Sequence, residues 1–260
     1  MDAMITAGGT LKPDDPLFQQ FGIEKKALLP MVGRPMISWV LEALRNSGGV
    51  DHIAIVGLDP DELDYQDDRL HFTPSTGNLV DNIYEGMYTL QKFHPTVKKI
   101  LLFSSDIPLV TPEIVRGFVD ECGSQKANIY YAVVKREIME AAFPGSKRTF
   151  VPMKDGYFSG GDAFLLDVDA AAGNAEMAKS LTSSRKNYVQ QARAVGFLFI
   201  IKILLRRLTA QEAGHYVAQK ANLSGQVVIT QYPELGMDVD KPHQYEMIKA
   251  QLEKRQAQSA

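Results

Sequence analysis

Ala3-Met4-Ile5-Thr6-Ala7-Gly8-Gly9-Thr10 is an apolar run that closes on two adjacent glycines almost at the N-terminus. The apolar part predicts a buried first strand. The glycines predict a loop where the backbone must approach another group closely. A strand, a Gly-rich loop and then a helix is how α/β sheets hold phosphate groups, because backbone N–H groups converge there. A tight turn explains two glycines equally well. Three later features weigh toward a phosphate loop: Lys26, a strand closing on Ser105-Asp106, and a late Asp238-Val239-Asp240.

Beyond the glycines, a polar loop over residues 11–16 carries two prolines. Pro35 then suits the first turn of a helix whose apolar face is Ile37, Val40, Leu41 and Leu44. Residues 52–57 are nearly apolar throughout, as in a strand covered on both faces. A short strand over 70–73, a turn over 74–78 and a helical stripe of Leu79, Ile83, Met87 and Leu90 come next. Residues 98–106 form a strand that stops at an acid. Thr111 caps a helix with Pro112 at its first position, and 127–134 is a further strand. Strand and helix alternate to this point, which predicts a parallel sheet with right-handed crossovers.

The second half is less regular. Residues 143–152 and 157–166 read as an inserted strand pair, and 174–193 and 196–207 as helices. Thr209-Ala210-Gln211-Glu212 has capping-box spacing, 226–230 is a late strand, and a last helix packs through Tyr245, Ile248 and Leu252.

Composition narrows the function class. At 260 residues and 45% hydrophobic, the chain buries a sizeable core. A net charge of −3 makes no case for nucleic acid or for an anionic membrane. A single cysteine excludes an internal disulfide and suits a reducing cytoplasm. The strand-like N-terminus lacks the basic segment of a signal peptide. The five histidines are scattered and show no zinc-type spacing. The apolar run over 194–205 is too short to span a bilayer and is interrupted by Lys202, so it predicts a buried helix, with an interfacial helix ending in Arg206-Arg207 as the alternative.

In open α/β sheets ligands sit beyond the carboxyl ends of the strands, where Gly8-Gly9, Gly57, Asp106 and the 238–240 loop all fall. Asp106 alone reads as a turn residue. Asp238 and Asp240 alone read as caps of the last helix, and in extended backbone they share a face. Together, hard oxygen donors from distant parts of the chain suit Mg²⁺. Lys26 beside Lys25 reads alone as a solvated loop cation. Beside a phosphate loop it is a point charge for phosphorus chemistry.

The ordered set of Ala7-Gly8-Gly9, Lys26 to Ile37, Ser105-Asp106-Ile107-Pro108 and Asp238-Val239-Asp240-Lys241-Pro242 resembles the MobA-like NTP transferase family. The resemblance implies a Rossmann-like GT-A three-layer sandwich. Its central sheet is mostly parallel, with a helical and strand-pair insertion in the second half. It implies one nucleotidyltransferase domain over 1–260: a nucleotide-binding part to about 135, an acceptor side over about 136–230, and a closing metal loop and helix over 231–257. Ala7, Gly8, Gly9 and Thr10, with Ser105, would line the nucleotide, and Ser75, Thr76, Gly77 and Asn78 its base or ribose. Lys26 would stabilise charge at the α-phosphate. Asp106 and Asp240 would carry Mg²⁺ or Mn²⁺, and Gly160, Gly161 and Asp162 would hold the acceptor. The sequence departs from the family at Lys12, where many members have an arginine shortly after the glycines, at Lys25, where proline is frequent, and at Asp162, where an amide is frequent.

The expected activity is Mg²⁺-dependent transfer of an NMP group from an NTP to a phosphorylated small molecule, with release of pyrophosphate. The expected setting is cytoplasmic, with no nucleic-acid partner and no spanning segment, and with room for a homodimer. Two rivals stand beside it: a GT-A glycosyltransferase using an NDP-sugar, and a non-catalytic nucleotide-binding protein. A dehydrogenase is disfavoured because no Gly-x-x-Gly spacing succeeds Gly8-Gly9.

Overall fold

The computed structural model describes residues 1–65, 67–123, 126–174 and 197–259. The strands are β1 (Asp2–Thr6), β2 (Pro30–Met31), β3 (Arg34–Pro35), β4 (Ile53–Val56) and β5 (Leu70–Thr73), then β6 (Lys99–Ser104), β7 (Ile129–Lys135), β8 (Val151–Met153), β9 (Gly156–Asp167) and β10 (Gly225–Thr230). Eight of them form one sheet in the order β10-β7-β9-β6-β1-β4-β5, with β8 paired to β9; β2 and β3 make a separate hairpin. β1 runs parallel to β4 and β6, β4 to β5, and β10 to β7.

The alternation of side chains along β1 explains why both faces are covered. Ala3 and Ile5 point into a core with Ile37, Val40 and Leu44 of the helix Met36–Arg45 and Phe118 of the helix Pro112–Cys122. Met4 points the other way, into a core with Val80, Tyr84, Met87 and Leu90 of the helix Leu79–Phe93. A strand buried on both sides has no polar alternation, and the result is three layers, helix on sheet on helix. A third cluster joins the helix Pro242–Ser259, through Tyr245, Ile248 and Leu252, to Leu29, Met31 and Met36 of the β2–β3 region. This ties the chain's last helix to the segment that carries Lys26.

Two expectations change. The expected pair over 143–152 and 157–166 does form, as β8 on β9, but it is not an insertion: β9 lies inside the sheet, antiparallel to both β6 and β7. Ala163, Leu165 and Leu166 are buried there, so the strand supplies core to the sheet rather than an appendage to it. In the helix Leu79–Phe93 the buried line is Val80, Tyr84, Met87 and Leu90, and Leu79 is exposed. Asn78 accepts a hydrogen bond from the Val80 N–H and caps the helix, which places Leu79 in the open first turn. The expected helix over 174–193 lies, from 175 on, outside the described residues. The apolar run over 194–205 yields the helix Phe197–Leu204, where Phe199 stacks on Tyr216 with ring centroids 4.5 Å apart. Among the described residues no helix is long and apolar enough to cross a membrane.

Candidate active site

The carboxyl ends of β1, β4, β5 and β6 lie side by side, and four loops leave from them. Gly8 and Gly57 meet backbone to backbone. A Cβ on Gly57, where φ is +112°, would stand 2.4 Å from the Gly8 backbone, and a Cβ on Gly8 would stand 2.6 Å from Ser75 Oγ. No side chain fits at either position, so the Gly-Gly loop passes between the β4 and β5 loops with its backbone bare. Gly9 and Thr10 are exposed. Thr10 bridges to Lys25, and the Lys26 N–H donates to the Gly9 carbonyl at 3.0 Å.

Lys26 is thereby held at the mouth of the loop. Its Nζ donates to Asp106 Oδ2 and to Asp240 Oδ1, each at 2.6 Å. Burial, the largest single influence, works against the ammonium charge. The two carboxylates together outweigh it and hold Lys26 well above the ordinary lysine range. Burial likewise opposes ionisation of Asp240, and the Lys26 ammonium overrides it and holds that carboxyl below its usual range.

The late loop reaches Asp106 through backbone: the Val239 N–H donates to the Asp106 carbonyl at 3.0 Å. Asp240 is fixed by its own N–H donating to Gln244 Oε1 at 3.0 Å. The Ser104 hydroxyl donates to Asp106 Oδ1. One carboxylate oxygen from each of Asp106, Asp238 and Asp240 lies within 4.8 Å of the other two. The two late aspartates therefore share a side as extended backbone predicts, and both converge on Asp106. Asp238 is buried against Arg148 in an ion pair.

Beside these acids opens a cleft of about 430 Å³. Tyr131, Lys147, Arg148, Asp162, Asp240 and Lys241 are among its walls, with Gly160 and Gly161 in its floor. A Cβ on Gly160 would stand 2.2 Å from the Tyr131 hydroxyl, so glycine is what lets that hydroxyl lie against the β9 backbone. Burial, then the charge of Asp106, push the Asp162 carboxyl up to about 7.

The structure thus brings Gly8, Gly9, Lys26, Asp106 and Asp240 together, with Gly160, Gly161 and Asp162 on the adjoining wall. Of the turn residues, Ser75 packs against Gly8, and Thr76 donates to Asn82 Oδ1 from its N–H at 2.7 Å and its hydroxyl at 2.9 Å. Ser105 is buried and its N–H donates to the Thr6 carbonyl at 3.1 Å, so the hydroxyl on Asp106 is that of Ser104 instead. Arg34 pairs with Glu42 and lies 3.6 Å over the Trp39 ring, in a helix-entry role. Sequence reasoning passed over Ser104, Asn82 and Arg148. Only Arg148 left a signal, as the adjacent cations Lys147-Arg148 just after the turn Pro144-Gly145.

Comparison with known proteins bears on the family and the fold. A family model described as the MobA-like NTP transferase domain matches residues 19–193. A probable molybdenum cofactor guanylyltransferase of Natranaerobius thermophilus is 24% identical over 139 residues, which is 52% of this chain and 60% of that protein. The bifunctional protein GlmU of Geobacter metallireducens is 26% identical over 125 residues, 43% of this chain and 24% of that protein. The chain therefore spans less than two thirds of either curated relative. Among solved structures, a hypothetical transferase from Thermus thermophilus superposes with a TM-score of 0.80 at 32% identity, covering 94% of this chain and 98% of that one.

Proposed function

The chain belongs to the MobA-like NTP transferase family, and from that premise we propose that it moves an NMP group from an NTP to an anionic, phosphate-bearing small molecule, with release of pyrophosphate. The observation that carries this reading is the ammonium of Lys26 seated between Asp106 and Asp240 at the mouth of the Gly8-Gly9 loop. An NDP-sugar transferase has no triphosphate for such a lysine to serve.

The donor set fits a divalent cation. Asp106, Asp238 and Asp240 offer hard carboxylate oxygens close together, and a cationic group already occupies the space between two of them. Asp106 and Asp240 would hold the ion, with Asp238 kept by Arg148 as a neighbouring carboxylate. Bound there, Mg²⁺ or Mn²⁺ supplies charge neutralisation and a template for the α-phosphate oxygens.

The chain's own residues do the rest. The bare backbone of Gly8, Gly9 and Thr10 presents N–H groups to the triphosphate, while Ser75, Thr76, Gly77 and Asn78 border the nucleoside end. Lys26 places a full positive charge where charge develops on the α-phosphorus. Lys147, Arg148 and Lys241 give the acceptor cleft cations for a phosphate or carboxylate. Asp162, whose carboxyl burial and the Asp106 charge push up to about 7, can in its protonated form donate a hydrogen bond to an anionic acceptor rather than repel it. An acceptor phosphate is already a nucleophile, so no general base is required, and positioning is the protein's main contribution.

The test is pyrophosphate release from each NTP with Mg²⁺ over a panel of phosphorylated acceptors. One NTP and one acceptor class should turn over, and Asp106→Asn should lower that rate by about a thousandfold or more. Turnover of the variant near the wild-type rate would remove Asp106 from the reaction. NTP binding with no turnover over any acceptor would favour the non-catalytic reading.

A further inference from the structure

The scattered histidines are not scattered in the fold. Three of the five, His52, His71 and His94, gather at the amino ends of the parallel strands, the pole of the sheet opposite Asp106. At their centre is Asp2, the first residue of β1, which is wholly buried. Its carboxylate accepts from His94 Nδ1 at 3.1 and 3.2 Å and from the His52 N–H at 3.3 Å. Neither partner is a permanent cation. Buried carboxylates are ordinarily paired with one or bound to a metal.

We propose that Asp2, Asp51 and His94 form a binding site for a divalent transition-metal ion of the zinc class, separate from the nucleotide site. One ligand atom from each lies within 4.8 Å of the other two. Zinc–nitrogen and zinc–oxygen bonds of about 2.0–2.2 Å set tetrahedral ligand atoms about 3.3 Å apart. The His94–Asp2 separations already match that edge. Asp51 is exposed and pairs with the Met1 amine 3.0 Å away, a surface contact it would exchange for the third corner. One imidazole and two carboxylates, with a water completing the shell, favour zinc over magnesium, which takes oxygen almost exclusively. His52 sits close by, its ring centroid 6.1 Å from that of His94, and its Nδ1 is 3.0 Å from His71 Nε2. Sequence spacing gives no hint of this site, because its ligands come from a strand start, a helix-to-strand loop and a helix end. An ion there fastens β1, the entry to β4 and the end of the helix Leu79–Phe93 to one another.

The test is calorimetric titration of the full chain with Zn²⁺ in excess Mg²⁺, with thermal melting alongside. Wild type should bind one more zinc equivalent than His94→Gln, and zinc should raise its Tm while leaving that of His94→Gln unmoved. Asp51→Asn, which removes only an exposed pair with the Met1 amine, should leave the zinc-free Tm nearly unchanged and weaken the same equivalent by about tenfold or more. Equal zinc stoichiometry in wild type and His94→Gln, or unchanged affinity in Asp51→Asn, would overturn the proposal.

Discussion

Lys26 touches the two carboxylates that the proposed cation would also touch, so lysine and metal compete for the same oxygens. On the proposed reading, an ion held by Asp106 and Asp240 would displace Lys26 from them, and the lysine would then be free for the triphosphate. Lys26→Ala is therefore expected to bind Mn²⁺ without nucleotide about tenfold tighter than wild type, while losing turnover. Paramagnetic resonance of free Mn²⁺ measures this, and equal affinity in the two proteins would show that no such competition exists. Asp162 gives a second prediction, in pH. Its native carboxyl holds a proton up to about 7, whereas an unfolded aspartate releases it near pH 4. Between those values the native state binds more protons than the unfolded one, so this group makes stability fall as pH rises. Metal-free Asp162→Asn should flatten that part of the profile in urea unfolding at pH 4.5 and pH 7. A difference between the two proteins that does not change with pH would contradict the assignment.

At the scale of elements, the site depends on two loops that cannot carry side chains where they cross. Gly57→Ala places a methyl group against the Gly8 backbone at a φ that favours glycine. It should cost about 2 kcal/mol of stability and weaken NTP binding at the same time. Denaturant unfolding and nucleotide titration of one preparation check both; a variant stable and tight-binding as wild type would show that the crossing is dispensable. Elements also differ in how far local pattern reveals them. β1, β4, β5 and β6 were readable because each is a short apolar run ended by Gly, Thr-Pro or Asp. The cap at Thr111 and the capping box at Thr209 were readable for the same reason. The place of β9 was not, since whether a strand lies inside a sheet or beside it depends on pairings with β6 and β7 that lie far off in sequence.

Over the whole molecule, strand polarity divides the labour. The carboxyl ends of the parallel strands gather the glycines, Lys26 and the acids; the amino ends gather Asp2, Asp51 and the histidines. The pole of the candidate site was largely legible, because Gly8-Gly9 and Asp106 stand at strand ends that pattern alone locates. Arg148 and Ser104 were not, since each acts through a partner, Asp238 or Asp106, that only the fold brings near. The histidine pole was invisible for the same physical reason. The central claim remains that Asp106 and Asp240 jointly hold a divalent cation against a triphosphate. Thermal melting with each NTP, with and without Mg²⁺, tests it most directly. One NTP should raise the Tm of the wild type more with Mg²⁺ than without, and that extra rise should vanish in Asp106→Asn/Asp240→Asn. A Mg²⁺-dependent rise of equal size in the double variant would contradict the account.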